Sequence, residues 1–290
     1  MTRRGGNDKG YALQGDGRLT VDWPGLEGPL RFWVIGDTHF ALRDARDEEH
    51  AEQCARMSRW AAEKGPFEAM LARAKEEKPD LLVLVGDILS FPTLANVEYV
   101  TGALAASGID WMYVAGNHDW HFEGDTGSDL EQRDRWIGRR LKPFYPTDAD
   151  PLMHSRVVKG VRFVAIDDSA YLIRREQLEF WKAEAAKGDP IVLLMHIPLF
   201  AEGWGVFTCG CPFWNAANDP YWKIERREKW RAEGPTAESF AFREAVLSTP
   251  NLVGVFSGHI HALMCARLRG QNMFSVADNR RGQVLDVRIG

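Results

Sequence analysis

The sequence predicts an α/β protein, and three observations carry that prediction. Five short apolar runs, each of about five residues, stop at a turn signal or a polar residue. Charged, Ala-rich stretches with helical spacing lie between them. One stretch, 157–167 (VVKGVRFVAID), reads as a hairpin, so part of the sheet is antiparallel. Continuous apolar runs fit strands buried on both faces, and strands alternating with helices fit a largely parallel sheet.

The first 29 residues, rich in Gly and polar residues, read as a lead-in to a single domain over 30–290. Within it, 18–23 reads as a short strand paired with the next one. The first apolar run, 31–35 (RFWVI), ends at Gly36-Asp37. A helix over 44–63 follows. Residues 66–78 repeat that character until Pro79 stops them. The second run, 81–85 (LLVLV), ends at Gly86-Asp87, and 97–106 fits a helix closed by Gly108. The third, 111–115 (WMYVA), ends at Gly116-Asn117. After the hairpin, whose turn is Lys159-Gly160, comes a helix over 175–187 closed by Gly188. The fourth run, 191–195 (IVLLM), ends at His196. A helix over 238–247 precedes the fifth, 252–256 (LVGVF), which ends at Ser257-Gly258-His259.

One segment breaks the rhythm. Residues 203–235 hold four tryptophans, two close cysteines and the charged run KIERREKWR. A structureless stretch that long inside a compact domain reads as a lid or insertion. Its rings could stack on a base or an apolar ester group, and Trp204 and Trp214 are the candidate pocket residues. Arg226, Arg227 and Arg231 could reach a phosphate. The plainer alternative is that the tryptophans anchor a loop on the core.

Composition excludes several classes. The 290 residues are 45% hydrophobic and 27% charged, as in an ordinary globular protein. No apolar stretch approaches the ~20 residues of a membrane span. The N-terminal residues carry Arg but no apolar core, against a secretory signal. A net charge of -5 argues against an extended nucleic-acid surface. Cys54, Cys209, Cys211 and Cys265 are too sparse for a disulfide framework. They read as buried structural thiols in a reducing, cytoplasmic setting.

All five apolar runs deliver metal-ligand residue types at their ends. These are Asp37 and His39; Asp87; Asn117, His118 and Asp119; His196; and His259 and His261. Sites in open α/β sheets form where strands end. A lone Gly-Asp is only a turn and a lone His is commonly structural, so His50, His121 and His154 are read that way. The five together point to a metal pocket. Its donors are four imidazoles, an amide and two carboxylates. With two divalent cations the set keeps a formal charge of about +2, which attracts an anion. Mixed N/O ligation suits Mn, Zn, Fe, Co or Ni better than Ca.

The ordered set GDTHF (36–40), GDILS (86–90), GNHDW (116–120), MHIP (195–198) and SGHIH (257–261) resembles the calcineurin-like metallophosphoesterase superfamily. The resemblance spans roughly the last 260 residues. It implies a four-layer α/β/β/α sandwich with two mixed sheets and a dinuclear metal centre. One ion would be held by Asp37, His39 and His261, the other by Asn117, His196 and His259, with Asp87 bridging. A metal-bound water or hydroxide would be the nucleophile. His118 would protonate the leaving group, with Asp119 orienting it; the alternative is that His118 supports Asn117. The substrate implied is a small-molecule phosphate ester. Motif two lacks the Arg of the protein Ser/Thr phosphatases. It has Ser90 where purple acid phosphatases carry Tyr. GNHD and GHIH look more like the cyclic-nucleotide and glycerophosphodiester phosphodiesterase branch. A phosphodiester is therefore expected, with a phosphomonoester as the alternative, and a nuclease or non-catalytic scaffold behind both.

Overall fold

In a computed structural model, the structure describes residues 10–26, 28–58, 61–122, 124–204, 208–212 and 235–290. Among these residues, twelve strands form two six-stranded mixed sheets. The first runs in the order β1 (Tyr11–Leu13), β2 (Arg18–Val21), β12 (Leu285–Ile289), β3 (Leu30–Ile35), β4 (Leu81–Val85), β5 (Trp111–Val114). The second runs β10 (Met264–Leu268), β11 (Gln271–Ser275), β9 (Leu252–Ser257), β8 (Ile191–Leu194), β7 (Val161–Ile166), β6 (Met153–Val158). Strands β3, β4 and β5 are parallel, and so are β7, β8 and β9.

Strand alternation divides the apolar residues into three cores. Phe32, Val34, Val83 and Val85 face Phe163, Val192, Leu194 and Phe256 across the space between the sheets. Trp33, Ile35, Leu82 and Leu84 point outward beneath α2 (Lys64–Glu77) and α3 (Leu94–Ser107). Val164, Leu193 and Val255 point outward beneath α5 (Arg175–Ala185) and α6 (Ala237–Leu247). The layers are therefore helix, sheet, sheet, helix, as the resemblance implied.

The five strands read from apolar runs form within a residue of their expected ends, and the hairpin turns at Lys159-Gly160. Two expectations need correction, and some elements were not anticipated. Strand β2 does not pair with β3. The C-terminal β12 lies between them, parallel to β2 and antiparallel to β3. The lead-in to residue 29 thus contains two strands of the first sheet, β1 and β2. The helix expected over 44–63 is a 3-10 turn, Ala45–His50, followed by α1 (Ala51–Met57). The backbone kinks at Asp47, whose buried carboxylate accepts the Leu94 N–H at 3.0 Å and Arg140 Nη2 at 2.6 Å. Last, α4 (Asp129–Trp136), a π turn at Ile137–Leu141 and strands β10 to β12 were not read from sequence. Helix α4 opens with a capping box of Ser128 and Glu131, a local signal that was available.

Candidate metal centre

The parallel strands of both sheets deliver their carboxyl ends to one place. The turn after β4 comes so close to the second sheet that His196 Nδ1 lies 2.8 Å from the Val85 carbonyl oxygen. Gly86 permits this. Its φ is +82°, and a Cβ there would fall 2.5 Å from His196 Nδ1. Across the same seam the His259 N–H donates to both oxygens of Asp37 at 3.0 Å.

The donors expected from the sequence converge into two groups. Asp37, His39, Asp87 and His261 form one; Asp87, His196 and His259 form the other; within each, donor atoms lie within 4.8 Å of one another. His39 Nε2 is 3.1 Å from His261 Nε2, and His261 Nε2 is 3.3 Å from Asp37 Oδ1. Asn117 Oδ1 joins the second group, 3.1 Å from both His196 Nε2 and His259 Nδ1. Asp87 Oδ2 stands between the groups, 3.3 Å from His196 Nε2 and 3.8 Å from His39 Nε2.

These spacings fit cations. With bonds of about 2.1 Å, neighbouring ligands of one ion sit roughly 3.0–3.4 Å apart. The backbone adds a second observation. Asp37, His39, Asp87, His259 and His261 all have φ between +50° and +71°. Non-glycine residues rarely adopt this region, at a cost of roughly 1–2 kcal/mol each. Strain gathered on five donors is the kind that functional sites retain.

The electrostatics of the pocket agree. Burial opposes charge on Asp87, but the imidazoles of His196 and His118 outweigh it and hold the carboxylate well below 3.8. Burial also opposes a proton on His196, yet the Asp87 carboxylate raises its pKa to about 10. His39, by contrast, is lowered by burial. A cation bound there would take the place of the proton that the carboxylates otherwise hold on His196.

His118 is half-buried beside this pocket, its ring edge-on to His39 with centroids 5.0 Å apart. Its N–H donates to Asp87 Oδ1 at 2.8 Å. Asp119 is buried and serves backbone. Its Oδ1 accepts the Leu89 N–H and its Oδ2 the Gly116 N–H, both at 2.7 Å. Those bonds brace the turns after β4 and β5. Burial and the Asp87 charge raise Asp119 to about 7.

Trp204 is 7% exposed and packs in the outer core of the second sheet with Leu199, Cys209 and Phe242. That burial favours the anchoring alternative for Trp204 over a place in the pocket. Trp214 and Arg226 lie outside the described residues, as do Arg227 and Arg231. Cys54 and Cys209 are buried free thiols, Cys211 is buried, and Cys265 is half-buried. His50 stacks on Phe122 at 3.8 Å, and His121 Nδ1 meets Gln132 Oε1 at 3.1 Å; both are structural.

Sequence reasoning missed Asp168 and Tyr171. Asp168 Oδ1 accepts the N–H groups of His196 and Ile197 at 3.1 Å, and Tyr171 Oη lies 3.1 Å from His259 Nε2. Their signal was present. The hairpin strand β7 also ends in carboxylates, Asp167-Asp168, but this end was not grouped with the others.

Three comparisons bear on this site. The family model described as "Calcineurin-like phosphoesterase" matches residues 30–263. A curated relative from Psychrobacter arcticus, named "Probable cyclic nucleotide phosphodiesterase", is 30% identical over 140 residues, covering 47% of this chain. The match spans only 44% of that relative's length. Among solved structures, a dimetal phosphatase from Danio rerio superposes with a TM-score of 0.53 at 12% identity, covering 86% of this chain and 87% of that one. A purple acid phosphatase from yellow lupin (Lupinus luteus) seeds gives 0.52 at 14% identity, covering 92% and 46%. At these identities the structural likeness is one of fold.

Proposed function

The chain belongs to the calcineurin-like phosphoesterase family, and from that premise we propose that it is a hydrolase cleaving a small-molecule phosphodiester at a two-metal centre. The observation that carries the reading is Asp87, the one residue among those described that belongs to both donor groups. Asp37, His39 and His261 would hold one ion, Asn117, His196 and His259 the other, with Asp87 placed to serve both. Bound there, two divalent ions supply Lewis acidity for a phosphoryl oxygen and lower the pKa of water to about 7. The N/O donor set suits Mn, Zn, Fe, Co or Ni.

The chain's own groups do the rest. His118, at the edge of the first donor group, gives its proton to the departing oxygen, a task suited to an imidazole near neutral pH. Asp119 keeps the Asp87 and Asn117 turns in register through the Leu89 and Gly116 amides. The diester preference draws support from the name of the Psychrobacter relative and from the GNHD and GHIH motifs. Among the described residues no helix is long and apolar enough to cross a membrane. The buried free thiols of Cys54 and Cys209 suit a reducing compartment, which supports a cytoplasmic setting.

Metal content by mass spectrometry of untagged protein, with turnover of bis(p-nitrophenyl) phosphate and p-nitrophenyl phosphate on the same sample, tests the reading. The expected outcome is close to two transition metals per chain and chelator-sensitive turnover favouring the diester. Preference for the monoester would move the substrate class to phosphomonoesters. No uptake on reconstitution would overturn the two-ion centre.

A further inference from the structure

The turn after β7, residues 167–171, donates no ligand, yet its bonds reach all three loops that carry Asn117, His196 and His259. Asp168 Oδ1 accepts the His196 and Ile197 amides. Ser169 Oγ accepts Trp120 Nε1–H at 2.8 Å, three residues beyond Asn117. Tyr171 Oη meets His259 Nε2 at 3.1 Å. The turn is itself held firmly. The Tyr171 N–H donates to the Asp168 carbonyl at 2.7 Å, and Asp167 is gripped by Arg133 at 2.6 and 2.9 Å. Tyr171 also has φ of +60°, a conformation that bulky residues rarely adopt. The loop of Asp37 and His39 is tied elsewhere, through Ala62 N–H and Ser90 Oγ on the His39 carbonyl and Asn279 N–H on the Gly36 carbonyl.

We propose that the 167–171 turn is a positioning element for the second set of ligands, and that Tyr171 sets the orientation and tautomer of His259. The inference rests on the two-ion reading above. His259 presents Nδ1 to Asn117, so a lone pair at Nδ1 requires the ring proton at Nε2. Nε2–H then donates to Tyr171 Oη, which fixes the ring's rotation and raises its basicity as a ligand. The Asp168 carboxylate does the corresponding work on His196 through the backbone.

Cobalt(II) titration of metal-stripped Tyr171→Phe beside wild type tests the assignment, with absorption and a competing chelator as readouts. Wild type takes up two ions. In the variant one step keeps its affinity and the other weakens by about 10–100-fold. The absorption of the weakened ion changes, and the Tm of the metal-free protein stays at the wild-type value. Two unchanged steps would overturn the proposal. So would equal weakening of both steps with a lower metal-free Tm, because Tyr171 would then be a packing residue. If wild type bound fewer than two ions, the two-ion reading would fail, an outcome distinct from either variant result.

Discussion

Asp87 and His118 are joined by one hydrogen bond, from the His118 amide to Asp87 Oδ1, but their side chains carry separable tasks. Asp87→Asn removes the charge between the donor groups, and we expect metal content to fall and turnover to vanish together. Wild-type turnover in that variant would remove the bridging assignment. His118→Ala leaves every proposed ligand in place. Metal content should hold while turnover drops by about 10²–10⁴-fold, most on esters with poor leaving groups. A uniform loss across leaving groups would reject the proton-donor role. His154 offers a different test. It is buried in β6 beside Tyr145, and burial lowers its pKa from 6.5 to about 4. Unfolded His154 takes up a proton near 6.5, whereas the folded residue resists until about 4. Between those values the unfolded state binds more protons, so the stability is complete above about pH 6.5. It is lost as pH falls toward 4, by up to about 3 kcal/mol. Thermal unfolding of metal-free wild type and His154→Gln between pH 7.5 and 4.5 measures this. Parallel curves would show that His154 is not the group responsible.

At the scale of elements, the site is a property of strand ends. A parallel strand buried on both faces needs an apolar run, and the run must stop where the chain turns. That is why the apolar runs pointed to their own terminal Asp, Asn and His residues. The turns themselves are unusual, because two of them approach closely enough to exclude a Cβ at Gly86. Gly86→Ala should therefore cost about 1–3 kcal/mol in backbone strain and displace His196. A lower metal-free Tm and reduced metal uptake are expected, and an unchanged metal-to-protein ratio would contradict the close approach. Elements without such a run were harder to read. The Asp47 kink depends on Leu94 and Arg140, which lie 47 and 93 residues away. The place of β12 between β2 and β3 depends on a pairing across the whole chain.

For the molecule as a whole, the centre lies on the seam between the two sheets. The first sheet contributes Asp37, His39, Asp87 and Asn117; the second contributes His196, His259 and His261. Ions bound to donors from both sheets favour the folded chain by mass action, about 2.7 kcal/mol per ion at a hundredfold excess over Kd. Chelation should accordingly lower Tm by several degrees, and re-addition of the ions should restore it. A Tm indifferent to chelator would mean that the donors are not bridged by ions across the seam. The net charge of -5 is no obstacle to an anionic substrate. Two divalent ions and two carboxylates leave the pocket positive whatever the surface carries.

All seven proposed ligands and His118 were legible in the chain itself. They follow apolar runs whose length and composition are local facts, and motif order links them to a known family. The four layers and the two mixed sheets were legible through the same motifs. Long-range packing determined the rest. Asp119 serves two backbone amides, since the folded turns place Leu89 and Gly116 beside it. Trp204 is buried in the outer core of the second sheet, a core built largely from residues outside its own segment. The carboxylate end of β7 was a local signal, but the contacts of Asp168 and Tyr171 arose only when β7, β8 and β9 lay side by side and brought the turn at 167–171 against His196 and His259. Ligand types are written residue by residue, but a positioning contact joins two distant segments, and neither segment alone specifies where the other will lie.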